Sequence, residues 1–133
     1  MNIAVRYYSR SGNTKLLAEA IANEVNVKAV SVDSVDADIK EPVDILFIGG
    51  ALYAYGLDKH LKDYLKTLKK EYVKEAVVFS TSWLSKHSID LIKKALKEND
   101  IEVYDEFIYA KNKPSLEKLE EAKNMVKKIV LDY

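Results

Sequence analysis

Between an apolar run ending at Tyr8 and an amphipathic segment starting at Thr14 stand Ser9, Arg10, Ser11, Gly12, Asn13 and Thr14. Three hydroxyls and an amide in so short a stretch supply neutral hydrogen-bond donors. The glycine lets the backbone turn sharply, and a helix start behind it adds unpaired N–H groups at the positive end of a dipole. Such a loop can surround a phosphate without any ammonium group. The same residue types also make an ordinary polar turn with a Ser or Asn helix cap, and spacing alone leaves both readings open. Arg10 and Lys15 flank the loop, either as auxiliary anion ligands or as a solvated pair.

Two further stretches carry chemistry. Gly49 and Gly50 end an apolar run and lead into Ala51, Leu52, Tyr53, Ala54, Tyr55 and Gly56. Glycines at a strand end allow a ligand to approach the backbone, and Tyr53 or Tyr55 can offer a ring face to a planar heterocycle or pack on the following helix. Ser80, Thr81, Ser82 and Trp83 follow the next apolar run, and Trp83 is the chain's single tryptophan. Its place in a loop suits ligand stacking, with a core or interface position as the plainer reading.

Competing chemistries fail on residue type. A Walker loop needs a second glycine and a Gly-Lys-Ser/Thr end, and a dinucleotide fingerprint needs three glycines, so Asp33 reads as a turn residue and not a ribose ligand. The absence of Cys removes disulfides, thiolate metal sites, a cysteine nucleophile and the cysteine-based phosphatase loop. A phosphoacceptor site would need acids where Ser9 and Gly50 stand. His60 and His87 lie far apart without a carboxylate cluster, so no metal site is expected and both read as solvated. No catalytic acid, base or nucleophile is recognisable from spacing.

The elements that position these loops alternate in period. Ile3–Tyr8 reads as a strand, and Thr14 to about Glu24 as a helix with Leu17, Ile21 and Val25 on one face. Val27–Val32 reads as a second strand, followed by polar residues with room for one short helical turn before Pro42. Ile45–Gly50 is the wholly apolar run of a central parallel strand. Leu57, Leu61, Tyr64, Leu65 and Leu68 form a helix stripe, and Ala76–Phe79 a fourth strand. Ser88 reads as the cap of a helix carrying Ile89, Ile92 and Leu96. Ile101–Ala110 reads as a fifth strand, and Pro114-Ser115 opens a last helix burying Leu116, Leu119, Ala122, Val126 and Ile129.

The 133 residues therefore form one α/β domain, residues 1–133, with a five-stranded parallel sheet. In such sheets ligands bind at the carboxyl ends of the strands, where the three loops above stand. Twenty-one basic and 21 acidic residues cancel, and the balance holds in both halves. Nucleic acid and anionic membrane thereby lose their simplest argument as partners. No apolar run is long enough to span a membrane, and a cytoplasmic location is the expectation.

With these residues in view, Ser9-Arg10-Ser11-Gly12-Asn13-Thr14 resembles the FMN-phosphate loop of the flavodoxins, Ser/Thr-x-Ser/Thr-Gly-x-Thr. All four defining positions match, at Ser9, Ser11, Gly12 and Thr14, and the likeness in element order covers essentially the whole chain. The resemblance implies a three-layer flavodoxin-like fold with strand order 2-1-3-4-5 and helices on both faces. It implies noncovalent FMN, carrying one or two electrons, with its phosphate on the first loop. It implies that Ala51–Gly56 line the isoalloxazine, with a Tyr55-Gly56 peptide free to rotate toward reduced N5–H. The segment Ser80–Trp83 would contact the pyrimidine edge, largely through backbone groups. The implied partners are redox proteins or a small-molecule acceptor.

Flavodoxin carriers tend to be strongly acidic, and this chain departs from that habit with a pI near 6.7. Gly50-Ala51, Tyr55-Gly56 and Phe79-Ser80 are also somewhat similar to the menaquinone-dependent protoporphyrinogen oxidase family. An oxidoreductase of that kind or of the quinone reductase kind is therefore the alternative. A non-redox binding module that has lost FMN is the alternative of another class.

Overall fold

Ile45, Leu46, Phe47 and Ile48 are all buried because their strand lies in the middle of the sheet with a helical layer against each face. The computed structural model describes residues 1–54, 56–83 and 85–133. Its elements in chain order are β1 (Ile3–Tyr7), α1 (Asn13–Glu24), β2 (Ala29–Ser31), β3 (Val43–Gly50), β4 (Leu52–Tyr53), β5 (Gly56–Leu57), α2 (Lys59–Thr67), β6 (Val73–Ser82), α3 (His87–Glu98), β7 (Glu102–Val103), β8 (Ile108–Lys111) and α4 (Leu116–Asp132). The main sheet runs β2-β1-β3-β6-β7, with β8 also on β6, and its pairings are parallel. The expected order 2-1-3-4-5 is present, with β7 and β8 sharing the fifth position.

Successive side chains of a strand point to opposite faces, and the core divides accordingly. Ile45 and Phe47 join Val5, Leu17, Ile21, Val77, Phe79, Val126 and Ile129 under α1 and α4. Leu46 and Ile48 join Leu61, Leu65, Val78, Ile89, Ile92 and Leu96 under α2 and α3. Among the described residues no helix is long and apolar enough to cross a membrane.

Several local expectations are corrected. The fifth strand is broken. Ala76 to Phe79 of β6 faces Val103 to Ile108, so two additional residues must leave the ladder, and polar Asp105 and Glu106 lie at the break. The second strand is only Ala29–Ser31, and the polar stretch after it forms turns without a helix. Leu57 belongs to a small antiparallel hairpin with β4, ahead of the helix it was assigned to. Helix α3 begins one residue before Ser88, whose buried hydroxyl meets Ser80 Oγ at 2.6 Å. Ser85 Oγ accepts the His87 N–H at 3.3 Å instead. Leu116, expected on the buried face, is 87% exposed as the first residue of α4, just after its Ser115 cap.

Candidate functional site

Parallel pairing brings the carboxyl ends of β1, β3, β6 and β8 to one edge, with Tyr7 beside Gly49, Gly50 beside Ser80, and Ser82 beside Lys111. The two glycines at the end of β3 are required by space. A Cβ on Gly49 would run into the Phe79 ring and carbonyl, and one on Gly50 into Leu61. β3 can lie this close to Phe79 and Leu61 only because it ends without side chains.

In the first loop Gly12 takes φ +94°, with open space where a Cβ would stand. Its left-handed turn aims the chain into α1, whose N-cap position it fills without a side chain of its own. Ser9 Oγ accepts the Gly12 N–H at 3.0 Å, and Ser11 Oγ accepts the Asn13 N–H at 3.4 Å. A hydroxyl that accepts in this way still has its own O–H to donate. Both serines therefore brace the loop and keep a donor each. Thr14 is buried, and its Oγ1 lies 2.6 Å from Thr81 Oγ1, joining the first loop to the third.

The second loop is held by a cation. The Arg10 guanidinium binds Asp58 Oδ2 through Nε at 3.0 Å and Nη2 at 2.5 Å, and lies 3.9 Å from the centre of the Tyr53 ring. Arg10 thus ties the first loop to the hairpin. Asp58 is buried, caps α2 by accepting the His60 N–H at 2.7 Å, and receives His60 Nδ1 at 2.9 Å. Burial by itself would raise the Asp58 pKa. The two His60 bonds and the Arg10 charge outweigh it and hold the carboxyl below its usual range. Burial pushes the Tyr53 phenol up, opposed by Arg10. The His60 ring stacks on Tyr8 at 4.8 Å.

Asp58 borders the site without having been singled out in the sequence, and His60 and Tyr8, read there as a solvated residue and a strand end, border it as well. An Asp just ahead of a helix stripe is a readable cap signal. Its partnership with Arg10, 48 residues away, has no local signal.

In the third loop Ser80 is fully buried, donating to the Gly50 carbonyl at 2.6 Å. Thr81 and Ser82 are also buried, and the Ser82 carbonyl receives the Tyr109 hydroxyl at 3.0 Å and the Asn112 N–H at 3.3 Å. These side chains join the loops to the sheet, and Trp83, 63% exposed, is the one that faces outward. Ala51, Leu52, Tyr53 and Gly56 are partly exposed and Ala54 is exposed. Tyr55, and with it the Tyr55-Gly56 peptide, lies outside the described residues. Among the described residues no cluster of His, Cys, Asp or Glu could hold a metal ion.

An open parallel α/β sheet with a hydroxyl-lined glycine loop between its first strand and first helix defines a doubly wound domain with an anion cradle at the carboxyl edge. The flavodoxin domain model matches residues 4–129, nearly the whole length, and the chain belongs to the flavodoxin family. Membership implies a flavin cofactor. An uncharacterized protein of Methanocaldococcus jannaschii is 32% identical over 100 residues, covering 71% of this chain and 65% of that protein. This chain thus spans less than two thirds of that relative. Oxidised flavodoxin 2 from Bacillus cereus superposes with a TM-score of 0.83 over all of both chains at 20% identity. A flavodoxin from the domain Archaea gives 0.78 at 26% identity, over 99% of this chain and 98% of its own.

Proposed function

We propose that the chain binds FMN noncovalently and serves as an electron carrier between redox proteins. The observation that carries this reading is the first loop. Ser9 and Ser11 accept backbone N–H groups and keep their O–H donors, at a helix start whose N-cap residue Gly12 contributes no side-chain hydrogen bond. A phosphate has only acceptor oxygens to offer such a set, so the donor chemistry fits the group. Ser9, Ser11, Gly12, Asn13 and Thr14 would hold the phosphate, with Arg10 committed to Asp58 and acting through the shape of the hairpin. The hairpin from Ala51 to Gly56 and the exposed Trp83 would flank the ring system, and the chain ends of Ser80, Thr81 and Ser82 would form the floor beneath it. FMN, when bound, supplies the one- or two-electron chemistry. No side chain is asked to act as acid, base or nucleophile.

Titrating FMN with the protein should quench flavin fluorescence saturably. Ser11→Ala removes a charge-assisted donor worth roughly 1.5–3 kcal/mol, or about 10- to 150-fold in affinity, and should leave riboflavin binding unchanged. Absence of saturable quenching, or equal loss for FMN and riboflavin, refutes the reading. Turnover of protoporphyrinogen or a quinone faster than free FMN achieves would replace the carrier by an enzyme.

A further inference from the structure

The β4–β5 hairpin is too short to hold its own shape. Its ladder consists of two pairs, Leu52 with Leu57 and Tyr53 with Gly56, and an isolated hairpin is marginal in water even when longer. Gly56 turns at φ +107° with open space where a Cβ would stand, which adds backbone freedom to be lost on ordering. Among the described hairpin residues Leu57 alone is buried. The remaining restraint comes from Arg10, and it acts on both ends. Tyr53 is the last residue of β4, and Asp58 is the first after β5. The Arg10 guanidinium binds the Asp58 carboxylate and lies against the Tyr53 ring, while the Arg10 backbone N–H donates to the Tyr53 phenol oxygen.

The carboxylate divides its two oxygens between two tasks. Oδ1 meets the backbone N–H and the ring Nδ1 of His60, and Oδ2 meets Arg10. Lys59, the next residue along, is engaged with Asp63 at 2.6 Å. A planar fork that grips a carboxylate while covering a ring face is a geometry that a lysine ammonium lacks. The sequence leaves Arg10 open between an anion ligand and a solvated residue, and the structure gives its side chain a third place, at the base of the hairpin.

We propose that Asp58, acting through Arg10, is a positioning residue for the ring-binding half of the site. The Tyr53–Arg10–Asp58 clasp presents the hairpin to the flavin ring already ordered, and its contribution is the same whether or not the flavin carries a phosphate. The inference rests on the FMN reading and divides the labour within it. The serine hydroxyls of the first loop serve the phosphate, whereas the one arginine in that loop serves the ring. Binding then avoids the entropy of ordering a hairpin that two backbone pairs cannot order alone.

The test compares FMN with riboflavin, each titrated into the flavin-free protein and read by fluorescence quenching. Asn is as good a helix cap as Asp but has one acceptor oxygen where the carboxylate has two, so D58N keeps α2 and loses the grip on Arg10. R10Q removes the fork from the other side. Each variant should weaken both ligands by the same factor, about 5- to 150-fold, the cost of ordering the side chains that the clasp now holds. The double variant R10Q/D58N should be no weaker than the weaker single variant, and R10K should not restore the parent affinity. Ser11→Ala, by contrast, should lower FMN and spare riboflavin. Without any ligand, amide hydrogen exchange of residues 52–57 should speed up in D58N and R10Q while that of α2 stays at the parent rate. A parent that quenches neither flavin sinks the FMN reading, and this proposal with it. A parent that binds FMN overturns the clasp alone if R10Q loses FMN but not riboflavin, if affinities are unchanged, if the losses add in the double variant, or if residues 52–57 exchange at the parent rate.

Discussion

Replacing Thr14 by Val keeps the side-chain shape and exchanges a hydroxyl for a methyl. Thr14 is 1% and Thr81 3% exposed, and their hydroxyls meet at 2.6 Å. The substitution therefore leaves the Thr81 hydroxyl buried without its partner, a loss of about 1–3 kcal/mol. The added buried methyl returns roughly 0.8 kcal/mol. A net destabilisation of ~0.2–2 kcal/mol follows for T14V, and the same for T81V, where Thr14 becomes the orphan. The double variant T14V/T81V has no stranded hydroxyl and two buried methyls, so it should lie within ~0.5 kcal/mol of the parent. The cycle is thus non-additive, with a coupling close to the sum of the two single losses. Urea unfolding followed by far-UV circular dichroism measures all four proteins, and each single variant should melt lower by roughly 3–6 °C per kcal/mol lost. Additive losses in the double variant would refute the reasoning, because they would mean that the two hydroxyls are satisfied independently.

Two glycine substitutions should separate strain from overlap. Gly12→Ala costs only the left-handed backbone, about 1–2 kcal/mol, because nothing occupies the Cβ position. Gly49→Ala must displace the Phe79 ring or backbone and should cost more than Gly12→Ala, with denaturant midpoints giving the order. Asp58 titrates lower when folded than when unfolded, so its contribution is present above about pH 4, near its ordinary value of 3.8, and is lost as pH falls through the lower folded value. Asp58→Asn should remove that part of the acid dependence of the urea midpoint. An unchanged profile would contradict the assignment.

The alternation of short apolar runs with four-residue stripes is a local property of the chain, and it sufficed for the parallel α/β class, for the strand order through family resemblance, and for the phosphate-type loop. The break at Asp105 and Glu106 escaped because Ile101 and Ala110 bracket a run whose alternation looks continuous. Only a register against β6, in which Val103 and Ile108 face residues three apart, exposes the surplus. Ser88 looked like a helix cap because Ser favours that place. The helix starts earlier, and its hydroxyl goes to Ser80, on a strand whose position depends on the whole sheet.

The sequence by itself therefore determined the repeating elements and the donors of the first loop, since backbone periodicity and a six-residue motif are written within a few residues. Tertiary structure decided which side chains those loops spend on one another. Arg10 finds Asp58, Thr14 finds Thr81, and Ser80 finds Gly50 only because β1, β3 and β6 lie side by side. It also decided that in a chain neutral overall Lys111 comes within 5.7 Å of the Trp83 ring. Charge can be counted along a chain, but its placement is set by where distant segments meet.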